Sequence, residues 1–119
     1  MRYADGLRAA FLTLTLAVTA AAPPAMSHYT VTMTQRDAGA GSERGTLDLQ
    51  IPSEGIVTGR YRDFDGGGPY LVSGGRRGDQ IWLDYLNIHM TGTISPKSID
   101  GHAFRSGDTE YVFHAILTP

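Results

Sequence analysis

The sequence contains no cysteine and shows no excess of either charge. Without cysteine the chain has neither a disulfide framework nor thiolate ligands, so its core and its backbone hydrogen bonds must hold it together. It has 10 Lys and Arg residues against 12 Asp and Glu residues among 119. This balance gives no reason to expect nucleic acid as a partner. The length suits a single domain.

Motifs for catalysis are also missing. A serine nucleophile needs a nucleophile elbow or an adjacent base, and we find no such context at Ser42, Ser53, Ser73, Ser95 or Ser106. The fragment Asp63–Gly66 resembles the start of a calcium loop, but no acidic residue follows at the spacing that calcium requires. We therefore predict that the protein is not an enzyme, uses no cofactor and carries no metal site of the common types.

A long uncharged stretch occurs near the N-terminus. Residues 9–22 are uncharged, Arg2 and Arg8 lie before them, and Pro23 follows. This is the pattern of a secretory signal peptide, and the stretch is too short for a transmembrane helix of about 20 apolar residues. An uncleaved N-terminal anchor is the alternative interpretation.

The small residues that signal peptidase requires allow cleavage after Ala22 or after Ser27. We favour Ser27, which would leave His28 as the first mature residue. The sequence thus predicts a signal peptide over residues 1–27 and one domain over residues 28–119. The location is then periplasmic or secreted, with no stable membrane insertion after cleavage.

The rest of the chain consists of short runs in which apolar and polar residues alternate. A period of two is typical of a strand with one buried face, and Gly, Asp and Pro separate the runs. The connections are too short for helices, so neighbouring strands should be antiparallel. Eight strands are predicted, over residues 28–34, 46–51, 56–61, 70–75, 80–86, 88–94, 98–104 and 110–118.

Glycine recurs inside these strands in one local pattern, an apolar residue, a small polar residue and then glycine. Glycine weakens a flat strand but lets a sheet bend and close. We predict an all-β fold, an antiparallel up-and-down meander closed into an eight-stranded barrel, with a β-sandwich as the alternative. The pattern occurs at residues 57–59, 72–74, 90–92 and 99–101.

The rhythm of several segments resembles that of small secreted bacterial barrels with avidin-like or lipocalin-like architecture. The segments are residues 56–61, 71–74, 78–83 and 91–94. The Gly-x-Trp of lipocalin-like first strands and the cysteines of secreted inhibitor barrels are absent, so no family's functional residues can be transferred. The resemblance implies a barrel and, by analogy only, ligand binding.

Aromatic residues on the predicted inner faces are candidates for a ligand site. Small residues opposite aromatic ones either fill a tapering barrel or leave a pocket for a small apolar ligand. The predicted ligand-binding residues are Tyr61, Tyr85, Tyr111 and Phe113. The alternative is that these rings simply fill the core.

Several apolar residues fall out of phase with the inward set. A solvated barrel does not need them on its outside, so we predict an interface with a protein partner or with another copy of the chain. Scattered apolar surface residues or an error of one position in the register are the alternatives. The predicted interface residues are Trp82, Val72, Phe104, Val112 and Ile116.

Three functions follow from these candidates. The first is a binding module for a small apolar ligand or a protein partner. The second is an inhibitor or accessory subunit of an envelope enzyme that acts through the loop of residues 64–69. The third and most remote is copper binding by an N-terminal His28 with a second histidine, because nitrogen ligands suit copper.

Overall fold

The computed structural model describes residues 24–36, 42–106 and 109–119, and within them the chain forms eight strands. Most of the predicted signal peptide lies outside the described residues. The first strand begins at Met26, so cleavage after Ala22 would leave it whole, whereas cleavage after Ser27 would remove its first two residues. The strands are β1 (Met26–Gln35), β2 (Ser42–Gln50), β3 (Glu54–Asp63), β4 (Tyr70–Arg77), β5 (Gln80–Tyr85), β6 (Ile88–Ile94), β7 (Ser98–Arg105) and β8 (Thr109–Leu117).

The strands form a closed antiparallel barrel. Each strand pairs with the next along the chain, and β1 also pairs with β8, which closes the sheet. Closure leaves no strand edge exposed. The predicted eight-stranded meander barrel is confirmed, and the β-sandwich alternative is wrong.

Alternating side chains explain how the barrel forms. Along β1, for example, Tyr29, Val31 and Met33 are buried, while threonines stand between them on the outside. The same period of two runs through all eight strands, so their apolar sides meet in one core. Leu47, Leu49, Val57, Leu83, Met90 and Ile99 are among its fully buried members.

Glycine bends the sheet at the positions where the sequence pattern recurs. Gly92 and Gly101 face each other across β6 and β7. A Cβ added at Gly92 would collide with the Asp100 carbonyl oxygen, and one at Gly101 with that of Thr91. Gly59 and Gly74 meet backbone carbonyls of neighbouring strands in the same way. The four glycines therefore permit the close backbone approach that barrel curvature requires.

The barrel has two ends that differ in their chemistry. We call the end with the β1–β2, β3–β4, β5–β6 and β7–β8 connections the upper end, and the opposite one the lower end.

Among the described residues, no helix has the length and hydropathy to span a membrane.

Candidate functional site

The four predicted ligand-binding residues lie in the core of the barrel. Tyr61 and Tyr85 stack with their ring centroids 4.7 Å apart, and each is only 2% exposed. The Tyr85 hydroxyl donates to Met33 Sδ at 3.5 Å. Phe113, which is fully buried, lies opposite Met33 in the β1–β8 pairing. These rings pack against protein atoms, so they fill the interior as the alternative interpretation expected.

An ion pair spans the barrel above these rings at the upper end. Arg105 Nη2 donates to both carboxylate oxygens of Glu43 at 2.8 Å. The same guanidinium lies 5.3 Å from the centroid of Tyr111, the remaining predicted ligand residue, which is 7% exposed. Because β2 and β7 are separated by β1 and β8, the pair bridges the opening. A ligand entering from this end would have to separate it.

The hydroxyls of the stacked tyrosines are held neutral. Burial is the main cause that raises the pKa of Tyr61 far above its ordinary value, and the neighbouring Asp63 carboxylate adds to this effect. Burial also dominates for Tyr85, whose pKa is raised further by the charges of Glu43 and Asp63 and lowered slightly by Arg105. Ionisation is thus strongly disfavoured inside the barrel.

Four of the five predicted interface residues lie on the outside of the barrel. Trp82 is 39% exposed, Phe104 and Val112 are each 45% exposed, and Ile116 is 52% exposed. They stand on β5, β7 and β8. We call the outward side chains of β5 to β8 the β5–β8 face.

The prediction for Val72 is wrong. Its side chain is 3% exposed and lies in the core, because Val72 pairs with Gly59 on the inward register of β3 and β4. The apolar residue on the outside of β4 is its neighbour Leu71, which is 78% exposed. Three consecutive apolar residues, from Tyr70 to Val72, hide the alternation at this point of the sequence.

A groove crosses the β5–β8 face. Trp82, Thr91, His102 and Val112 lie in one row, each paired with the next across β5, β6, β7 and β8. Trp82 and Val112 are its apolar sides, with Thr91 and His102 between them. The groove has a volume of about 780 Å³ and is open to solvent. In the sequence, Thr91 and His102 look like ordinary outward residues of a strand. The groove becomes visible only from the strand pairing.

Trp82 is fixed in place by a glycine. Its ring lies over Gly75 of the neighbouring β4, where an added Cβ would collide with the ring. An exposed aromatic ring over a strand glycine covers backbone that has no side chain of its own. The ring therefore covers the backbone of β4 at Gly75.

All four histidines of the chain stand on the outside, each beside a carboxylate of the neighbouring strand. His89 contacts Asp84, and His114 contacts Asp100, directly across the strand pairs. His102 Nδ1 lies 3.3 Å from a carboxylate oxygen of Glu110. His28 contacts Asp48 in the same way on β1 and β2. Three of the four pairs thus belong to the β5–β8 face.

The copper hypothesis requires a second histidine beside His28, and none of the other three histidines lies next to it in the strand pairing. The nearest histidine in the strand pairing, His114, lies opposite Thr32, four residues along β1, which is about 13 Å away at the usual strand rise. Among the described residues, no group of three or more His, Asp or Glu side chains is placed to hold a metal ion.

Charge is divided between two sides of the barrel. The β5–β8 face has no Lys or Arg but carries Asp84, Asp100 and Glu110. Arg36, at the end of β1, contacts Glu110 at 2.7 Å and lowers the pKa of that carboxyl. The outside of β2 to β4 instead carries the exposed arginines Arg44, Arg60, Arg62 and Arg77.

The comparisons with known proteins add a likeness of fold. No protein-family model matches the chain, and no curated protein matches it. Among solved structures, the chain is similar to a protein described as a de novo design of a fluorescence-activating β-barrel. The two are 19% identical, with a TM-score of 0.49, over 80% of this chain and 93% of that one. The strand pairing by itself makes this chain an eight-stranded up-and-down β-barrel.

Proposed function

We propose that the protein is an exported binding module that docks a partner protein on its β5–β8 face. The observation that carries this proposal is that exposed apolar side chains border a groove there, while the barrel interior is filled. Trp82 and Val112 form the sides of that groove. Fixed aromatic side chains are the residues that most often anchor protein interfaces.

The charge of the β5–β8 face favours a partner of complementary charge. The outward side chains of these strands include three carboxylates and no Lys or Arg, and histidines and Arg36 contact those carboxylates. A partner with an apolar centre and a rim of Lys or Arg would be complementary, and complementary charges guide association. A second copy of the chain could offer its arginine-bearing β2–β4 side, but that contact is head-to-tail and does not close into a dimer.

The export step rests on the pattern of residues 1–27. Arg2 and Arg8 with the uncharged residues 9–22 are typical of a signal peptide. We therefore place the partner in the periplasm or outside the cell. The intact mass of the exported chain identifies the cleaved bond.

The loop of residues 64–69, between β3 and β4 at the upper end, supports a second candidate, an inhibitor or accessory subunit of an envelope enzyme. Phe64 at its start is 55% exposed, and the Arg44 guanidinium lies 5.3 Å from its ring centroid. A filled barrel with an exposed aromatic loop is what this candidate requires. The same experiment separates the two docking surfaces.

The test is photo-crosslinking in the envelope of the host. A photoreactive residue replaces Thr91 inside the groove or, as a matched control, the exposed Thr58 on β3. We expect one defined partner from position 91, with the crosslinked peptide rich in Lys or Arg, and none from position 58. A crosslink to a second copy of this chain, or equal yields from both positions, would contradict the proposal.

Binding of the identified partner then tests the side chains. Val112→Ser should weaken it at least tenfold, because Val112 forms one side of the groove. Leu71→Ser, the same kind of change on the opposite side, should leave binding within twofold. If Phe64→Ala weakens binding while Val112→Ser does not, the loop is the docking surface and the β5–β8 proposal fails.

A further inference from the structure

An arginine faces into the lower end of the barrel, and no described residue offers it a carboxylate partner. Arg76 follows Val72 and Gly74 on the inward register of β4 and is half-buried. Its Nε donates to the Gly78 carbonyl at 2.7 Å, and Nη1 donates to the Pro52 carbonyl at 3.4 Å. Within the described part of the chain, no carboxylate lies within ion-pair distance of it, and Nη2 has no acceptor.

The two ends of the barrel differ in this respect. At the upper end, Arg105 is neutralised by Glu43 through two hydrogen bonds. At the lower end, two carbonyl dipoles hold the Arg76 guanidinium in place but leave its full charge uncompensated. A partly desolvated charge of this kind favours an anion.

The Arg76 side chain lines a small pocket whose walls are partly polar and partly apolar. The pocket has a volume of about 300 Å³, at the lower end of the range for small-molecule sites. The Tyr29 side chain, 4% exposed, also lines it. Ile51, Ile94, Pro96 and Leu117 provide apolar surface, and Ser27 and Ser95 complete the lining.

Backbone hydrogen bonds fix the walls of the pocket. The Ile94 amide donates to the Asp79 carbonyl at 2.7 Å, and the Leu117 amide donates to the Lys97 carbonyl at 2.8 Å. These bonds tie the ends of β6 and β8 to the lower turns. The pocket is thus formed before a ligand arrives, which reduces the entropy cost of binding.

Tyr29 and Arg76 are close enough to influence each other. Burial raises the pKa of the Tyr29 hydroxyl, and the positive charge of Arg76 opposes that rise. The hydroxyl therefore remains a neutral hydrogen-bond donor beside the guanidinium at neutral pH. Two donor groups and apolar walls define the chemistry of a ligand.

We propose that the lower pocket binds a small carboxylic acid with a compact apolar body. The carboxylate would accept hydrogen bonds from the free side of the Arg76 guanidinium, whose planar fork suits a carboxylate. The apolar body would lie against Ile94 and Leu117. This site goes beyond the docking function, because it lies at the barrel end and not on the groove of the β5–β8 face.

The test compares benzoate with benzyl alcohol, which has nearly the same shape but no charge. Each is titrated into the exported chain after removal of its signal peptide, and NMR follows the methyl signals of Ile94 and Leu117. We expect benzoate to shift these signals saturably and to bind at least tenfold more tightly than benzyl alcohol. Equal affinity for the two compounds, or no shift with millimolar benzoate, would overturn the proposal.

Arginine variants test which positive charge binds benzoate. Arg76→Gln should weaken benzoate binding at least tenfold, and Arg77→Gln, the adjacent outward arginine, should change it less than twofold. Equal losses in the two variants would mean a general effect of charge and would refute the site. Val112→Ser should leave benzoate binding unchanged, so the pocket and the docking face can fail independently. The benzyl alcohol comparison uses the unaltered chain and does not depend on how the variants fold.

Discussion

Two arginines face into the barrel, one at each end, and their partners give the ends different roles. Arg105 is paired with Glu43 and lies beside the Tyr111 ring, so it completes the core. Among the described residues, Arg76 has two backbone carbonyls as its partners, and it faces a pocket. The same residue type in the same inward orientation thus closes the upper end and offers a charge at the lower one.

Buried tyrosines make the stability of the barrel sensitive to alkaline pH. The pKa values of Tyr29, Tyr61 and Tyr85 are all raised in the folded state, with burial as the first cause. A group whose folded pKa is raised contributes stability that is fully present below its unfolded pKa, near 10 for tyrosine. That stability is lost as the pH rises from there toward the folded pKa.

Tyr85→Phe should therefore make the protein less sensitive to alkaline pH. The free energy of unfolding of the unaltered protein should fall above about pH 10, and removing one buried hydroxyl should reduce that slope by about 1.4 kcal/mol per pH unit. Urea denaturation at several pH values measures the slope. Equal slopes for Tyr85→Phe and the unaltered protein would contradict the burial argument.

Single residues show where sequence reasoning succeeds and where it stops. Tyr61 and Phe113 are inward as predicted, because clear alternation surrounds them. Val72 was misassigned because Leu71 beside it is equally apolar, and only the pairing with β3 decides which of the two is buried. Arg76 was missed because a charged residue at a strand end gives no signal of its inward orientation.

At the scale of strands, the bends are set by glycines that have close backbone neighbours. The pair Gly92 and Gly101 brings β6 and β7 together at the floor of the groove on the β5–β8 face. Curvature of the sheet and the shape of the proposed docking surface therefore depend on the same two residues. The sequence pattern predicted the bend, because glycine inside a strand has few other uses.

Gly101→Ala should destabilise the barrel by about 1–3 kcal/mol, the usual cost of forcing an extra methyl group into a packed site. The added Cβ would collide with the Thr91 carbonyl oxygen, so the strands would have to separate. Thermal and urea denaturation measure the change. Thr93→Ala, on the exposed outside of β6, is the matched control and should have a small effect. If the two variants are equally stable, glycine is not required for the bend.

Strand positions were the most predictable elements. The predicted run of residues 88–94 matches β6 fully, and the other seven runs overlap their strands with differences of up to four residues at the ends. Alternation and turn residues are local properties, so they can be read from the chain. The cross-strand contacts of His89 with Asp84 and of Arg105 with Glu43 depend on strand pairing and are not visible in the sequence.

The interior and the two sides of the barrel differ in polarity and charge. The interior is filled by apolar and aromatic side chains, the outside of β2 to β4 is rich in arginine, and the β5–β8 face is acidic with an apolar groove. A filled barrel can recognise other molecules only through its outer face, its loops or its ends. We propose that this barrel does so through its β5–β8 face.

Radical footprinting of the protein with and without its partner tests this claim most directly. Oxidation of exposed side chains reports their accessibility, and mass spectrometry locates each oxidised residue. We predict strong protection of Trp82 and Phe104 in the complex and unchanged oxidation of Leu71, which is 78% exposed on β4. Protection of Leu71 with Trp82 and Phe104 still reactive would contradict the docking proposal.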